Sequence, residues 1–181
     1  TLFVKPSNMG SSVGISKVRN TEELRAALAL AGKYDRRIII EEGINCREVE
    51  TGVIGNHKPE VAAVGEIVAK LDFYDYTAKY TDDAGTELSI PAKLPASTYE
   101  EIRTLAKKAY MALDCSGFAR IDFFLDKDTG QVYINEINTI PGFTKYSMFP
   151  LMWKEAGVSF RELVERIVDL GYERYYAKNN R

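Results

Sequence analysis

The residues best suited to chemistry share one stretch, GFARIDFFLDKDTGQVYINEINTIPG, residues 117–142. Side chains alternate across a strand, so Ala119, Ile121, Phe123 and Leu125 form an apolar side and Arg120, Asp122 and Phe124 occupy the other. A five-residue turn, DKDTG, closing an in-register hairpin sets Arg120 opposite Glu136 and Asp122 opposite Ile134. Arg120, Asp122, Glu136 and Asn138 then converge on one surface. Two carboxylates and a carboxamide oxygen, without histidine or cysteine, suit a hard cation such as magnesium, which keeps waters and shares substrate phosphates. The neighbouring guanidinium can stabilise a phosphate or a developing oxyanion. The same pattern also suits a solvated charged face held by ion pairs. The tail NTIPGF favours the metal reading, because its proline and Gly142 make a turn that can offer backbone N–H groups to an anion.

A second candidate is FVKPSNMGSSVGIS, residues 3–16. A Walker loop needs GxxxxGK[ST] running into a helix; here Lys5 precedes the glycines and a strand pattern follows, which excludes it. Two readings stay open, a hairpin turn and a Gly/Ser flap closing over phosphates with Lys5 as their anchor. In IEEGINCREVE, residues 40–50, Glu41 and Glu42 end a strand and Glu48 follows a short connection. Those carboxylates suit hydroxyl or amino groups, and equally a solvated strand end.

The elements that must position these residues follow from periodicity. Strands are expected at 2–5 and 13–18, with Phe3, Val13 and Ile15 inward, then at RRIIIEEG, 47–56 and 61–68. Asn20 and Glu23 cap a helix whose stripe is Leu24, Ala27, Leu28 and Ala31 and which Gly32 stops. Residues 71–93 have no period and carry Phe73, Tyr74, Tyr76 and Tyr80, the pattern of an ordered, functional loop. Ser97 and Glu100 box a second helix with Ile102, Leu105, Ala106, Ala109 and Leu113 as its buried stripe. After the strands at 118–125 and 131–138 come a short helix at about 150–156 and one from Ser159, boxed by Glu162, burying Phe160, Leu163, Val164 and Ile167. The sum is an α+β chain with mostly antiparallel sheets flanked by helices.

Composition removes other classes. The 181 residues carry 45% hydrophobic content and a net charge of −2 from 24 basic and 26 acidic residues, with no basic patch for nucleic acid and no polybasic segment for membranes. No apolar run approaches the roughly 20 residues that span a bilayer, so the expected location is cytoplasmic. Cys46, Cys115 and the single His57 lack metal-ligand or disulfide spacing. The chain opens at Thr1 directly into a strand pattern and is expected to be a piece of something longer.

Five segments in order, FVKPSNMGSSVGISKV, IIIEEGINCREVETGVIGN, FYDYTAKY, GFARIDFFLD and INEINTIPGFTKYSMFP, resemble the D-alanine:D-alanine ligase family of the ATP-grasp superfamily, as far as about Leu170. The resemblance implies an ATP-grasp fold, with residues 1–42 the remainder of the central subdomain and 43–181 the C-terminal domain. The family's N-terminal substrate domain is expected to lie outside this chain. It implies ATP and Mg2+ (or Mn2+) as cofactors and D-alanine as substrate. Lys5 matches a phosphate-contacting lysine, and Ser11 and Ser12 belong to the GSSVG flap over the triphosphate. Glu41, Glu42 and Ile44 match the segment that reads adenine, Glu48 the ribose-binding acid, and Phe124 is grouped with the nucleotide contacts. Lys79 and Tyr80 match a mobile loop, with Tyr80 bonding to Ser11. Asp122, Glu136 and Asn138 match the metal ligands, Arg120 and the Gly142 N–H the oxyanion pair, and Ser147 with Met148 the contact to the second substrate's carboxylate.

The implied reaction is phosphorylation of one D-alanine by ATP and attack on the acyl phosphate by the amine of a second, with the full-length protein a homodimer and this fragment alone inactive. Tyr80, where D-lactate-using members carry histidine, implies an amine acceptor. Two alternatives remain: a D-alanine:D-serine or other ATP-grasp carboxylate–amine ligase, and a non-catalytic nucleotide-binding module.

Overall fold

The computed structural model describes residues 1–10, 12–68 and 87–179. Ser11, Lys79 and Tyr80, together with Phe73, Tyr74 and Tyr76, lie outside the described residues. The chain divides into two compact units, one holding Thr1–Asn45 and the other Cys46–Val68 with Leu88 onward.

In the first unit, β1 (Leu2–Pro6) lies between β2 (Ser16–Val18) and β3 (Ile38–Glu42), antiparallel to both. Helix α1 (Thr21–Ala31) begins at Asn20, whose side chain accepts from the Glu23 N–H at 2.9 Å, while Glu23 accepts from the Arg19 N–H at 2.8 Å. This is a variant of the box that the sequence spells, with Glu23 reaching the N–H one residue before the cap and the Asn20 side-chain amide. The core is Val4, Val18, Ala27 and Ala31, with Leu24, Leu28 and Ile38 against it. The inward side of β1 is therefore that of Val4, not Phe3, and Val13 and Ile15 belong to the turn region, only half-buried. Gly14, at φ +74°, cannot be replaced cheaply: a Cβ there would lie 2.8 Å from the Tyr34 ring and 2.9 Å from Pro6. Asp35 ties the base of this hairpin down, accepting from the backbone N and Nδ2 of Asn8 at 2.9 and 2.7 Å.

The second unit is a five-stranded antiparallel sheet in the order β6-β5-β4-β7-β8, from β4 (Cys46–Ile54), β5 (Glu60–Val68), β6 (Glu87–Ser89), β7 (Phe118–Asp126) and β8 (Val132–Asn138). Helix α2 (Ala96–Ala112) covers one face, burying Ile102, Ala106 and Tyr110 against Val49, Val53, Ile121 and Phe123. Its first turn follows Pro95 with no side-chain cap, so Ser97 does not box it; Leu113 is exposed at 67%, and Tyr110 completes the stripe instead, donating its hydroxyl to the Gly55 carbonyl at 2.8 Å.

The other face meets α3 (Met148–Glu155) and α4 (Phe160–Asn179) through Met148, Phe149, Met152, Trp153 and Leu163. Two glycines let α3 lie this close, since a Cβ on Gly52 would come within 2.7 Å of Trp153 Nε1 and one on Gly65 within 2.7 Å of Met148 Cε. Ser159 caps α4 through the Glu162 N–H at 3.2 Å, and Leu163 is buried as expected, whereas Phe160 and Val164 are exposed.

Candidate active site on the β4–β7–β8 face

Helix α3 packs against the sheet at Gly52 and Gly65, and the polar side chains of the same face stand beyond them on β4, β7 and β8. Antiparallel pairing places Glu50 opposite Asp122, Glu48 opposite Phe124 and Gly52 opposite Arg120. Across the other edge of β7, Arg120 faces Asn138 and Asp122 faces Glu136. The four residues expected to converge do share this face, but in a different register. Leu125 pairs with Val132, so the connecting turn is one residue tighter than DKDTG read as a loop, closed by Asp126 N–H to the Gln131 carbonyl at 3.0 Å. Between Asp122 and Phe123 the register shifts, because Asn135 forms a bulge.

The bulge decides the chemistry. Continuing the turn's register without it would put Asn135 opposite Asp122 and Ile137 opposite Arg120, and send Glu136 and Asn138 to the α2 side. With it, Ile137 packs on the α2 core and the two carboxylates meet across β7 and β8.

Arg120 is held by Asp122 in a bidentate pair, Nε to Oδ1 and Nη2 to Oδ2, both at 2.7 Å. Glu50, 3% exposed, places Oε2 3.2 Å from the same Nε, and its Oε1 is buried without a hydrogen-bond partner. Burial, with the charge of Asp122 next, pushes the Glu50 carboxyl well above the ordinary glutamate range, against the opposing pull of Arg120. Burial works against the Arg120 charge too, but hydrogen bonding to Asp122 and the charges of Glu50, Asp122 and Glu136 outweigh it and keep the guanidinium protonated above its usual range. Glu50 was not among the expected site residues. Its signal was present in REVE, where two glutamates at i and i+2 share one face of an otherwise apolar strand.

Among the described residues no three His, Cys, Asp or Glu side chains form a ready metal site. The donors here are two facing carboxylates and an amide, all oxygen, which is the chemistry of magnesium or manganese rather than zinc. Asn138 Oδ1 accepts from the Ile140 N–H at 3.1 Å, so a cation would meet an oxygen already oriented.

At the α3 end, Ser147 Oγ accepts from the Thr144 N–H at 3.1 Å and lies 2.9 Å from Thr144 Oγ1; a Cβ on Gly142 would come 3.1 Å from that Oγ. Gly142 is exposed, and its missing Cβ is what leaves room for the Ser147 hydroxyl beside it. The Met148 side chain is buried in the α3 core, so what it can offer an anion is its backbone N–H in the first turn of α3.

In the first unit, Lys5 Nζ pairs with Glu41 at 2.8 Å, one strand away. Ser12 sits in the turn at φ +62°, a conformation uncommon for serine, with the Val13 N–H bonded to the Gly10 carbonyl at 3.1 Å. Glu42 is exposed and Ile44 half-buried on the connection from β3.

The D-ala D-ala ligase C-terminus family matches residues 1–169. The chain belongs to that family. It is 56% identical over 174 residues to a D-alanine–D-alanine ligase of Acetivibrio thermocellus, covering 96% of the chain and 46% of the relative. A D-alanine–D-alanine ligase of Bacillus velezensis is 58% identical over 176 residues, covering 97% and 49%. Among solved structures, the D-alanine-D-alanine ligase from Coxiella burnetii superposes with a TM-score of 0.87 at 33% identity, covering 99% of the chain and 47% of that structure. The VanG D-Ala:D-Ser ligase from Enterococcus faecalis gives 0.83 at 42%, covering 93% and 49%. The fold is thus the α+β ATP-grasp fold of these ligases. The chain spans about half the length of the curated relatives it matches.

Proposed function

We propose that the protein carrying this chain is an ATP- and magnesium-dependent ligase that joins two D-alanines into D-alanyl-D-alanine for peptidoglycan precursor synthesis. The observation that carries the reading is the identity of 56–58% with curated D-alanine–D-alanine ligases over nearly the whole chain. The opposed Asp122 and Glu136 with Arg120 beside them are the chemistry such a ligase needs. Asp122, Glu136 and Asn138 would hold magnesium, which supplies positive charge to the ATP phosphates. Glu48 takes the ribose hydroxyls, with the Phe124 ring beside it. Lys5, Ser12 and Lys79 serve the phosphates, and Glu41, Glu42 and Ile44 the adenine. Arg120 and the Gly142 N–H take charge from the tetrahedral oxyanion formed when the amine attacks the acyl phosphate. Ser147 and the Met148 N–H receive the acceptor's carboxylate. Tyr80 and Ser11 close the site, excluding water that would hydrolyse the acyl phosphate.

The full-length enzyme is proposed to be a cytoplasmic homodimer acting on small molecules only, and residues 1–42 and 43–181 to be parts of its central and C-terminal domains. No described helix is long and apolar enough to cross a membrane. The test is phosphate release by the full-length protein with ATP, Mg2+ and D-alanine, with the dipeptide identified by mass spectrometry. Phosphate without dipeptide, or neither, overturns the reading. The VanG likeness favours one second reading, D-serine as acceptor. Equimolar D-alanine and D-serine in one reaction decide between them by the mass of the product.

A further inference from the structure

Glu50 has no part in the roles assigned above. It lies on β4 between Gly65 of β5 and Asp122 of β7, almost wholly buried, with one carboxylate oxygen 3.2 Å from Arg120 Nε and the other without a hydrogen-bond partner. Arg120 gives its fork to Asp122 instead, at 2.7 Å twice. On β4 the residue opposite Arg120 is Gly52, which has no side chain to hold the guanidinium stem, so the carboxylates alone decide where it points. Adjacent strands lie about 4.8 Å apart, so a guanidinium beside Asp122 can swing its fork to Glu50 with no movement of the backbone.

We propose that Glu50 is the positioning residue that receives the Arg120 fork when Asp122 turns its oxygens to a divalent cation. Its buried, unpartnered oxygen is the second acceptor waiting for that exchange. The proposal rests on Asp122 being a cation ligand. Arg120 and the cation compete for the same two oxygens, and with an uncharged residue at position 50 the carboxylate left near Arg120 would be that of Glu136, itself assigned to the cation. Glu50 thereby lowers the cost of cation entry and keeps Arg120 on the site face afterwards, aimed at developing negative charge.

The experiment is Mn2+ binding to the full-length protein without turnover, followed by electron paramagnetic resonance. Glu50→Gln should weaken Mn2+ about tenfold, the usual range for loss of an outer partner, and Glu50→Asp should restore part of it. In a background of Arg120→Met the same Glu50→Gln change should move Mn2+ affinity less than twofold, because no fork remains to be transferred. An equal loss in both backgrounds means that Glu50 acts only through its charge, and no loss in either means that it does not act; each overturns the proposal. Asp122→Asn separates the two levels. If it leaves Mn2+ binding intact, the cation assignment fails and the Glu50 proposal falls with it; if it abolishes binding while Glu50→Gln does not weaken it, the Glu50 proposal alone fails.

Discussion

Arg120 is the side chain on which the candidate site turns, since it touches both Asp122 and Glu50 and keeps a fifth of its surface in water. Removing it leaves Glu50 buried without its cation, so the carboxyl must either stay an unpaired charge or take up a proton. Loss of one partner from a buried ion pair costs about 3 kcal/mol at the low end, which suits a pair with one partly exposed member. Arg120→Met is therefore expected to lower the unfolding free energy by about 3 kcal/mol, and the double change Arg120→Met with Glu50→Gln to recover most of that loss, as read by urea denaturation. Were the double variant no more stable than the single one, Glu50 would not be the source of the cost. Arg120, Asp122, Glu136 and Asn138 were readable as one face because alternation is a property of each strand by itself. Glu50 was not, because REVE says only that Glu48 and Glu50 share a face, and which residues they meet depends on the β4–β7 pairing of distant parts of the chain.

At the scale of elements, the β7–β8 hairpin shows how a correct surface can be reached through a wrong register. A loop taken one residue too long and an unseen bulge displaced the expected pairing by two residues, which preserves the face and changes the neighbours. The physical difference is considerable: Asp122 meets Glu136, not Ile134, so the carboxylates are cross-strand partners and not diagonal ones. Since Asn135 is the extra residue, its deletion joins Ile134 directly to Glu136 and leaves Glu136 opposite Asp122 and Asn138 opposite Arg120, so the deletion variant of the full-length protein is expected to keep its ligase activity to within about tenfold. Asn135→Ala keeps the extra residue and is expected to stay within a fewfold of the parent rate. A folded but inactive deletion variant would show that the bend of the bulge, and not the Asp122–Glu136 pairing alone, sets the site. β8 is an edge strand, so the deletion can be accommodated without breaking the sheet. The box on α1 was legible because Asn20 and Glu23 are local partners; α2 begins after Pro95 without a side-chain cap, and Ser97 misled because the fixed φ of proline starts that turn.

At the scale of the whole molecule, the two units differ in how much they bury. The first closes a three-stranded sheet over two valines and two alanines, with three larger apolar residues at its margin. The second buries Trp153, Tyr110, Phe123 and Phe149 in cores on both faces of a five-stranded sheet. Apolar burial sets the free energy of local opening, and small residues contribute little of it. Native-state hydrogen exchange on the intact chain is therefore expected to place the slowest amides in β4 and β7, which are paired on both sides, and to find β1–β3 exchanging through a smaller opening. The expected gap is at least tenfold in protection, about 1.4 kcal/mol. Protection in β1–β3 equal to that in β4 and β7 would mean that the chain opens as one cooperative body. A looser first unit also has a functional sense within the proposed reaction: it carries Lys5 and the Gly10–Gly14 turn, and a segment that must admit and release a nucleotide is drawn from the low-stability end of a fold.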